Sequence, residues 1–236
     1  MKNFIQKIFN LFGYNLTKIK KPYRYPGITG VFKGWQQLHS LPEIDTLIDI
    51  GVGPDGSDDM YNRFKNANLI LIDPLDEARE YANKLKENRK VMFLQSALGR
   101  EDDIEKNLYV QNDKGCSSFL ETAPLYSDYD DCTAVKKLKI KKLDTILEYK
   151  QEFGKVGMKI DVEGFELDVI LGATEILKNT KFVIAEVRHC QESLKGAYNL
   201  HEFMNIMNKN NFTLSKILTA KPAIADLCFY ANNESL

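Results

Sequence analysis

The sequence predicts an α/β fold in which a mostly parallel sheet carries one antiparallel strand and helices cover both faces. Two observations predict it. Short apolar strand patterns alternate with helical patterns along most of the chain, and the last three elements are a helix followed by two strands. Because 44% of the 236 residues are apolar, the chain can bury a sizeable core, and one large domain is expected.

The first half of the chain supplies three buried strands, with a helix after each of the first two. The strands are predicted at 44–50, 69–72 and 91–95, and the helices at 58–65 and 77–87. An insert at 107–141 follows. Within it, 107–110 and 117–120 are expected to pair around a turn-rich stretch, while 135–141 alternates apolar and basic residues as an exposed or edge strand does.

The second half continues the alternation and ends in two successive strands. Helices are predicted at 144–149, 166–171, 175–178 and 200–209, and strands at 156–162, 182–187, 212–217 and 227–231. The apolar run at 182–187 is typical of a strand buried in a parallel sheet.

A basic N-terminal segment at 1–42 precedes the predicted domain at 43–236. The segment has seven basic side chains and no acid, and five apolar side chains recur at helical spacing within 1–16. The apolar run is too short to span a membrane and lacks a cleavage site of small residues. The resulting amphipathic helix either packs on the domain or touches an anionic membrane surface.

The overall composition disfavours several classes of partner and site. With 32 basic and 33 acidic side chains the net charge is −1, so no electrostatic field favours nucleic acid. The four cysteines form no Cys-x-x-Cys pair and there are three histidines, which predicts reduced thiols and no structural zinc site. The expected location is the cytoplasm, with contact to the inner face of the membrane if the N-terminal helix binds lipid.

The first strand ends in an acidic glycine turn. The stretch 51–56 matches the Gly-x-Gly-x-x-Gly pattern of dinucleotide sites, and Asp73 follows the next strand. A pyrophosphate needs bare backbone N–H groups and the positive end of a helix, whereas Asp49 and three further aspartates surround this turn. A ligand with positive charge and no phosphate suits the turn better. S-adenosylmethionine, with its ammonium and sulfonium groups, is such a ligand.

Contacts to this ligand are predicted at the carboxyl ends of the strands. Glycine lets the backbone approach the ligand closely, Asp73 can take two ribose hydroxyls, and small residues after the third strand leave room for a flat adenine. Asp49 and Asp73 have the alternative role of helix cap or turn former. The predicted contacts are Asp49, Gly51, Val52, Gly53, Asp73, Pro74, Ser96, Ala97 and Asp161.

A second acidic group lies at the ends of two later strands. Asp161 and Glu163 end the strand at 156–162, and Glu186 and His189 end the next one. In open α/β sheets the ligand crevice lies beyond these ends, and adjacent ends bring such side chains together. Crowded carboxylates are costly to bury unless a cation or a proton meets them. The sequence therefore predicts a site at this edge.

Three motifs resemble the FkbM-type methyltransferase family. They are Leu-Ile-Asp-Ile-Gly-Val-Gly at 47–53, Leu-Asp-Thr-Ile-Leu at 143–147, and Lys-Ile-Asp-Val-Glu-Gly-Phe-Glu at 159–166 with Leu-Gly-Ala at 171–173. The last block is the specific part. The resemblance implies a class I methyltransferase fold, S-adenosylmethionine as donor, and a hydroxyl acceptor on a sugar, glycan or glycosylated metabolite.

Asp161, Glu163 and His189 are the predicted catalytic residues, with Asp161 the first candidate for a base. Glu163 either shares a proton with Asp161, orients the acceptor, binds a cation or only begins a helix. Asp161, Glu163 and Glu186 together offer the oxygen ligands that Mg²⁺ prefers, and such a metal would lower the pKa of the acceptor. The acceptor pocket is expected to be built from the N-terminal segment and residues 111–133.

Two other classes of function remain open. An NAD-dependent oxidoreductase would use Gly51, Gly53, Gly56 and Asp73, although the acidic surroundings disfavour a phosphate-rich ligand. A non-catalytic binding module would keep the fold and lose the transfer reaction.

Overall fold

The computed structural model describes residues 32–33, 35–124, 130–148, 151–189, 193–221 and 223–232. The predicted amphipathic helix within 1–16 lies outside these ranges. Among the helices of the described ranges, none is both long and apolar enough to cross a membrane.

The predicted alternation of strands and helices is confirmed. The strands are β1 (Phe32–Lys33), β2 (Thr46–Ile50), β3 (Asn68–Ile72), β4 (Val91–Leu94), β5 (Ala97–Leu98), β6 (Ile104–Gln111), β7 (Cys132–Lys141), β8 (Val156–Ile160), β9 (Thr180–Arg188), β10 (Phe212–Ala220) and β11 (Ile224–Ala231). The α-helices are α1 (Asp58–Arg63), α2 (Asp76–Leu85), α3 (Leu143–Ile146), α4 (Glu166–Leu171), α5 (Thr174–Leu177) and α6 (Leu200–Lys209). Short 3₁₀ segments lie at Trp35–Ser40, Lys114–Cys116 and Gln151–Phe153.

The main sheet has eight strands in the order β1-β10-β11-β9-β8-β2-β3-β4. Strands β4, β3, β2, β8 and β9 are parallel to one another, and β11 runs against both of its neighbours. The prediction of a mostly parallel sheet with an antiparallel member near the end of the chain is therefore confirmed. The two-residue β1, which the sequence pattern did not predict, adds a second reversed strand at the edge.

Helices cover both faces of this sheet, as predicted. On one face α1 and α2 contribute Met60, Tyr61 and Ala78 to a core that includes Leu47 and Leu71. On the other face, α4 and α6 pack Val169, Ile170, Phe203 and Met207 against Ile48, Met158 and their neighbours. Both faces of β2 and β8 are buried, which explains their continuous apolar runs.

The insert forms a second, three-stranded sheet in the order β5-β7-β6. Strand β7 is mostly exposed, as predicted, but it is the central strand and not an edge. The predicted strand at 117–120 is reduced to a single bridge between Ser118 and Tyr109. The bridge lies on the side of β6 that does not face β7, and the chain turns away after it, where the Ser118 hydroxyl accepts the Leu120 N–H at 3.0 Å.

Candidate active site

The glycine turn brings the ends of three neighbouring strands together. Gly51 has a φ of 80°, and its N–H donates to the Ile72 carbonyl at 2.9 Å. A Cβ at this position would lie 1.8 Å from the backbone oxygen of Asp161. Only glycine fits here because the end of β8 passes directly against the turn, and this close approach places Asp161 beside it.

Asp73 follows β3 and is fixed by the backbone. Its carboxylate accepts hydrogen bonds from the N–H of Gly53 at 3.0 Å and from that of Leu75 at 2.8 Å. Burial raises the pKa of Asp73, and the two hydrogen bonds act in the opposite direction. The carboxylate is thus held in one orientation, with acceptor capacity left on both oxygens.

A narrow slot lies between these strand ends and the insert. Seven of the nine predicted cofactor contacts line it: Gly51, Gly53, Asp73, Pro74, Ser96, Ala97 and Asp161. The facing wall contains Lys114, Gly115 and Phe119 of the insert, which the sequence analysis had associated with the acceptor instead. The slot has a volume of about 50 Å³, enough for a few water molecules. A nucleoside is larger than this volume and would extend beyond it.

The two remaining predicted contacts lie beneath the slot and do not line it. Val52 is 5% exposed and Asp49 is fully buried. Asp49 accepts a hydrogen bond from the Tyr61 hydroxyl at 2.5 Å and lies 3.8 Å from Lys159 Nζ. Its Oδ1 has no hydrogen-bond donor among the described residues. Burial and the nearby Asp49 raise the pKa of Tyr61, so the phenol keeps its proton and continues to donate.

Three of the acidic side chains predicted at the later strand ends converge. Ligand oxygens of Asp161, Glu163 and Glu186 all lie within 4.8 Å of one another. Each carboxylate also has a basic partner. Asp161 pairs with Lys159 at 3.0 Å, Glu163 forms a short ion pair with Arg188, and Glu186 lies 3.3 Å from Lys221. Lys159 and Arg188 sit within strands, where period-two alternation gives no sign of such pairing.

A wider acid hollow of about 450 Å³ lies on the α1 side of this cluster. Six carboxylates and two lysines line it: Asp55, Asp58, Asp59, Asp161, Glu186, Asp226, Lys159 and Lys221. Asp226 lies directly opposite Glu186 in the β9–β11 register. Burial raises the pKa of Glu186 to about 9, with further contributions from Asp161 and Glu163.

His189 does not join the carboxylate cluster. Its side chain is exposed, and its ring nitrogen lies 3.1 Å from the Lys221 carbonyl oxygen. It is therefore placed beside the backbone of the β10–β11 connection, away from the three converging carboxylates.

Glu166 organises the loop that carries Asp161 and Glu163. Although predicted to be a first-turn helix residue, it is fully buried, and its Oε1 accepts the N–H groups of Val162 at 3.1 Å and Gly164 at 2.9 Å. Its Oε2 accepts the Tyr198 hydroxyl at 2.7 Å. Burial raises the pKa of Glu166 to about 7. The three donors hold the loop in the shape that gives Glu163 a φ of 53°.

Stability should depend on pH through Glu186. Its folded-state pKa of about 9 is above the ordinary value of 4.5. The native state thus favours the protonated form, and this contribution to stability is full below pH 4.5 and is lost as the pH rises through about 9. We expect Glu186→Gln to flatten the fall in thermal midpoint between pH 5 and 9. Equal slopes for the variant and the wild type would contradict this.

The slot and its surroundings fit S-adenosylmethionine. Asp73 is oriented for a diol, Ser96 and Ala97 are small, and Asp161 and the buried Asp49, which share Lys159, place two carboxylates close to the turn. The three converging carboxylates do not fit Mg²⁺ as they are arranged. Each already faces a lysine or an arginine, so a divalent cation would have to displace three bases.

Four features define a class I methyltransferase fold. They are the mostly parallel sheet, its reversed strand β11, the glycine turn after β2 and the acidic residues at the strand ends. Residues 51–214 match the model of the methyltransferase FkbM domain. The chain belongs to the FkbM methyltransferase family.

Solved structures of other methyltransferases resemble the chain at low sequence identity. Ribosomal protein L11 methylase from Lactobacillus delbrueckii subsp. bulgaricus is 13% identical with a TM-score of 0.44, over 84% of this chain and 78% of that one. Precorrin-6y C5,15-methyltransferase from Geobacter metallireducens GS-15 is 10% identical with a TM-score of 0.42, over 83% and 85%. Magnesium protoporphyrin IX methyltransferase from Synechocystis PCC 6803, with bound S-adenosylhomocysteine, is 10% identical with a TM-score of 0.43, over 83% and 82%. Among curated proteins, none matches the chain in sequence.

Proposed function

We propose that the chain transfers a methyl group from S-adenosylmethionine to a hydroxyl of a sugar, glycan or glycosylated metabolite. The observation that carries the proposal is the position of Asp161, which lines both the slot and the acid hollow. A donor in the slot and an acceptor in the hollow would meet there. The donor supplies a methyl already activated by the sulfonium, so alignment of the two partners is the protein's main contribution.

Different residues would bind the donor in the slot and the acceptor in the acid hollow. Asp73 would hold the ribose hydroxyls, and Asp161 would face the positive charge of the donor. In the acid hollow, Glu186 and Asp226 present oxygens that accept hydrogen bonds from acceptor hydroxyls. A polyhydroxylated acceptor matches such a wall. The division of the chain at residue 42, and contact of the N-terminal helix with a membrane, remain predictions.

Ligand-induced stabilisation tests the donor site. S-adenosylhomocysteine at 100 times its Kd should stabilise the native state by about 2.7 kcal/mol, a rise of roughly 5–10 °C in the thermal midpoint, whereas NAD at the same concentration should give none. Asp73→Asn should lose at least half of the shift. Asp76→Asn, which changes an exposed aspartate at the start of α2, should keep it. A shift with NAD alone would refute the donor assignment.

Transfer itself requires an acceptor screen with isotopically labelled donor. We expect label to appear on sugars or nucleotide sugars and to be unaffected by EDTA, because the carboxylates are already paired with bases. Stabilisation by S-adenosylhomocysteine without transfer to any hydroxyl would favour the non-catalytic binding module.

A further inference from the structure

The three converging carboxylates differ in what they can reach. Asp161 lines both the slot and the acid hollow, and Glu163 lines neither. Glu186 lines the acid hollow alone. On the proposed function, the hollow holds the acceptor, so Glu186 is the member of the group that faces the acceptor without also facing the donor.

The three carboxylates also differ in how firmly they are held. The Lys159 partner of Asp161 has 8% of its side chain exposed, and the Arg188 partner of Glu163 has 5% exposed. By contrast, the Lys221 partner of Glu186 is 46% exposed and 3.3 Å away. Because the lysine end of this pair is exposed to solvent, Lys221 can move away from Glu186 more easily than the buried Lys159 and Arg188 can leave their partners. An acceptor hydroxyl can therefore replace Lys221 as the group that donates to Glu186.

The surroundings of Glu186 make it a stronger proton acceptor than an ordinary carboxylate. It is one-tenth exposed, and the ionisable groups that face it are Asp161, Glu163, Asp226 and Lys221. Burial and the three acids raise its pKa to about 9. A positive charge in the slot, on the far side of Asp161, favours the ionised form again. Donor binding would thus shift Glu186 toward its ionised form.

We propose that Glu186 is the catalytic base, a role that rests on the proposed function. As the acceptor oxygen attacks, its O–H bond breaks and the proton passes to a Glu186 carboxylate oxygen. The oxygen lone pair forms the new O–C bond, and the electrons of the breaking C–S bond remain on sulfur, which becomes a neutral thioether. The products are the methyl ether, protonated Glu186 and S-adenosylhomocysteine, so atoms and charges balance.

Proton release on donor binding tests this assignment without knowledge of the acceptor. S-adenosylmethionine is titrated at pH 8 by calorimetry in two buffers of different ionisation enthalpy. The wild type should release a fraction of one proton, Glu186→Gln should release almost none, and Glu175→Gln, which changes an exposed carboxylate outside the slot and the acid hollow, should behave as the wild type. Release that is unchanged in Glu186→Gln, or that is lost equally in Glu175→Gln, overturns the proposal.

Kinetics with an acceptor from the screen provide the second readout. Glu186→Gln should lower kcat about 10²–10⁴-fold with little change in KM, and should lack the rise of kcat with pH that is expected of the wild type. Glu186→Asp should recover part of kcat. The stabilisation of Glu186→Gln by S-adenosylhomocysteine should equal that of the wild type, which keeps failure of the base separate from failure of the donor site. A kcat within threefold of the wild type overturns the assignment.

Discussion

Replacing Asp161 with alanine is expected to abolish methyl transfer and to lower the free energy of unfolding by about 3 kcal/mol. Activity should be lost because Asp161 lines both the slot and the acid hollow. Stability should fall because Lys159, with only 8% of its side chain exposed, loses its 3.0 Å partner and keeps only Asp49 at 3.8 Å. Transfer of label and equilibrium unfolding in urea measure the two effects.

Two further variants separate the effects of Asp161. Asp161→Asn keeps an oxygen that can accept from Lys159, so it should lose activity at a cost of about 1 kcal/mol. Glu175→Ala removes a carboxylate whose partner Lys178 is 65% exposed, and should cost less than about 1 kcal/mol with full activity. Normal turnover by both Asp161 variants would remove this residue from the catalytic set.

Gly51→Ala should be the most destabilising substitution at the site, by about 4 kcal/mol or more. The added Cβ would lie 1.8 Å from the Asp161 carbonyl oxygen, and both groups belong to the backbone at buried strand ends. Relief would require β2 and β8 to separate. The thermal midpoint and the yield of soluble protein measure the loss.

Gly196→Ala is the matched control for backbone strain. Gly196 has a φ of 73°, similar to that of Gly51, but a Cβ there meets nothing within 4 Å. Only the strain of about 1–2 kcal/mol should remain. Equal losses in the two variants would show that strain, and not the collision with β8, determines the outcome at Gly51.

Local patterns predicted the main sheet and its helices well. The helix Leu200–Lys209 was predicted in both bounds, and in the structure Asn199 and Glu202 form a capping box at its N-terminus. The insert was harder to predict. Strand β7 pairs with β5 and β6, and pairing between segments far apart leaves no signature in either segment.

The convergence of Asp161, Glu163 and Glu186 could also be predicted, because parallel strands end at one edge of the sheet. Their basic partners could not. The environment of Asp49 could not be predicted either, because the hydroxyl of Tyr61 in α1 donates a hydrogen bond to one of its carboxylate oxygens. Such contacts depend on the direction of a long side chain, which sequence spacing does not encode.

The hydroxyl of Ser118 donates to the Glu163 carbonyl at 2.7 Å, and this bond ties the insert to the loop that carries the acids. Any outward movement of the insert as a nucleoside enters or leaves the slot would disturb the same loop. The rate at which S-adenosylhomocysteine leaves the slot and the positions of the acidic side chains are therefore coupled. We expect product departure, rather than bond making, to limit the steady-state turnover rate.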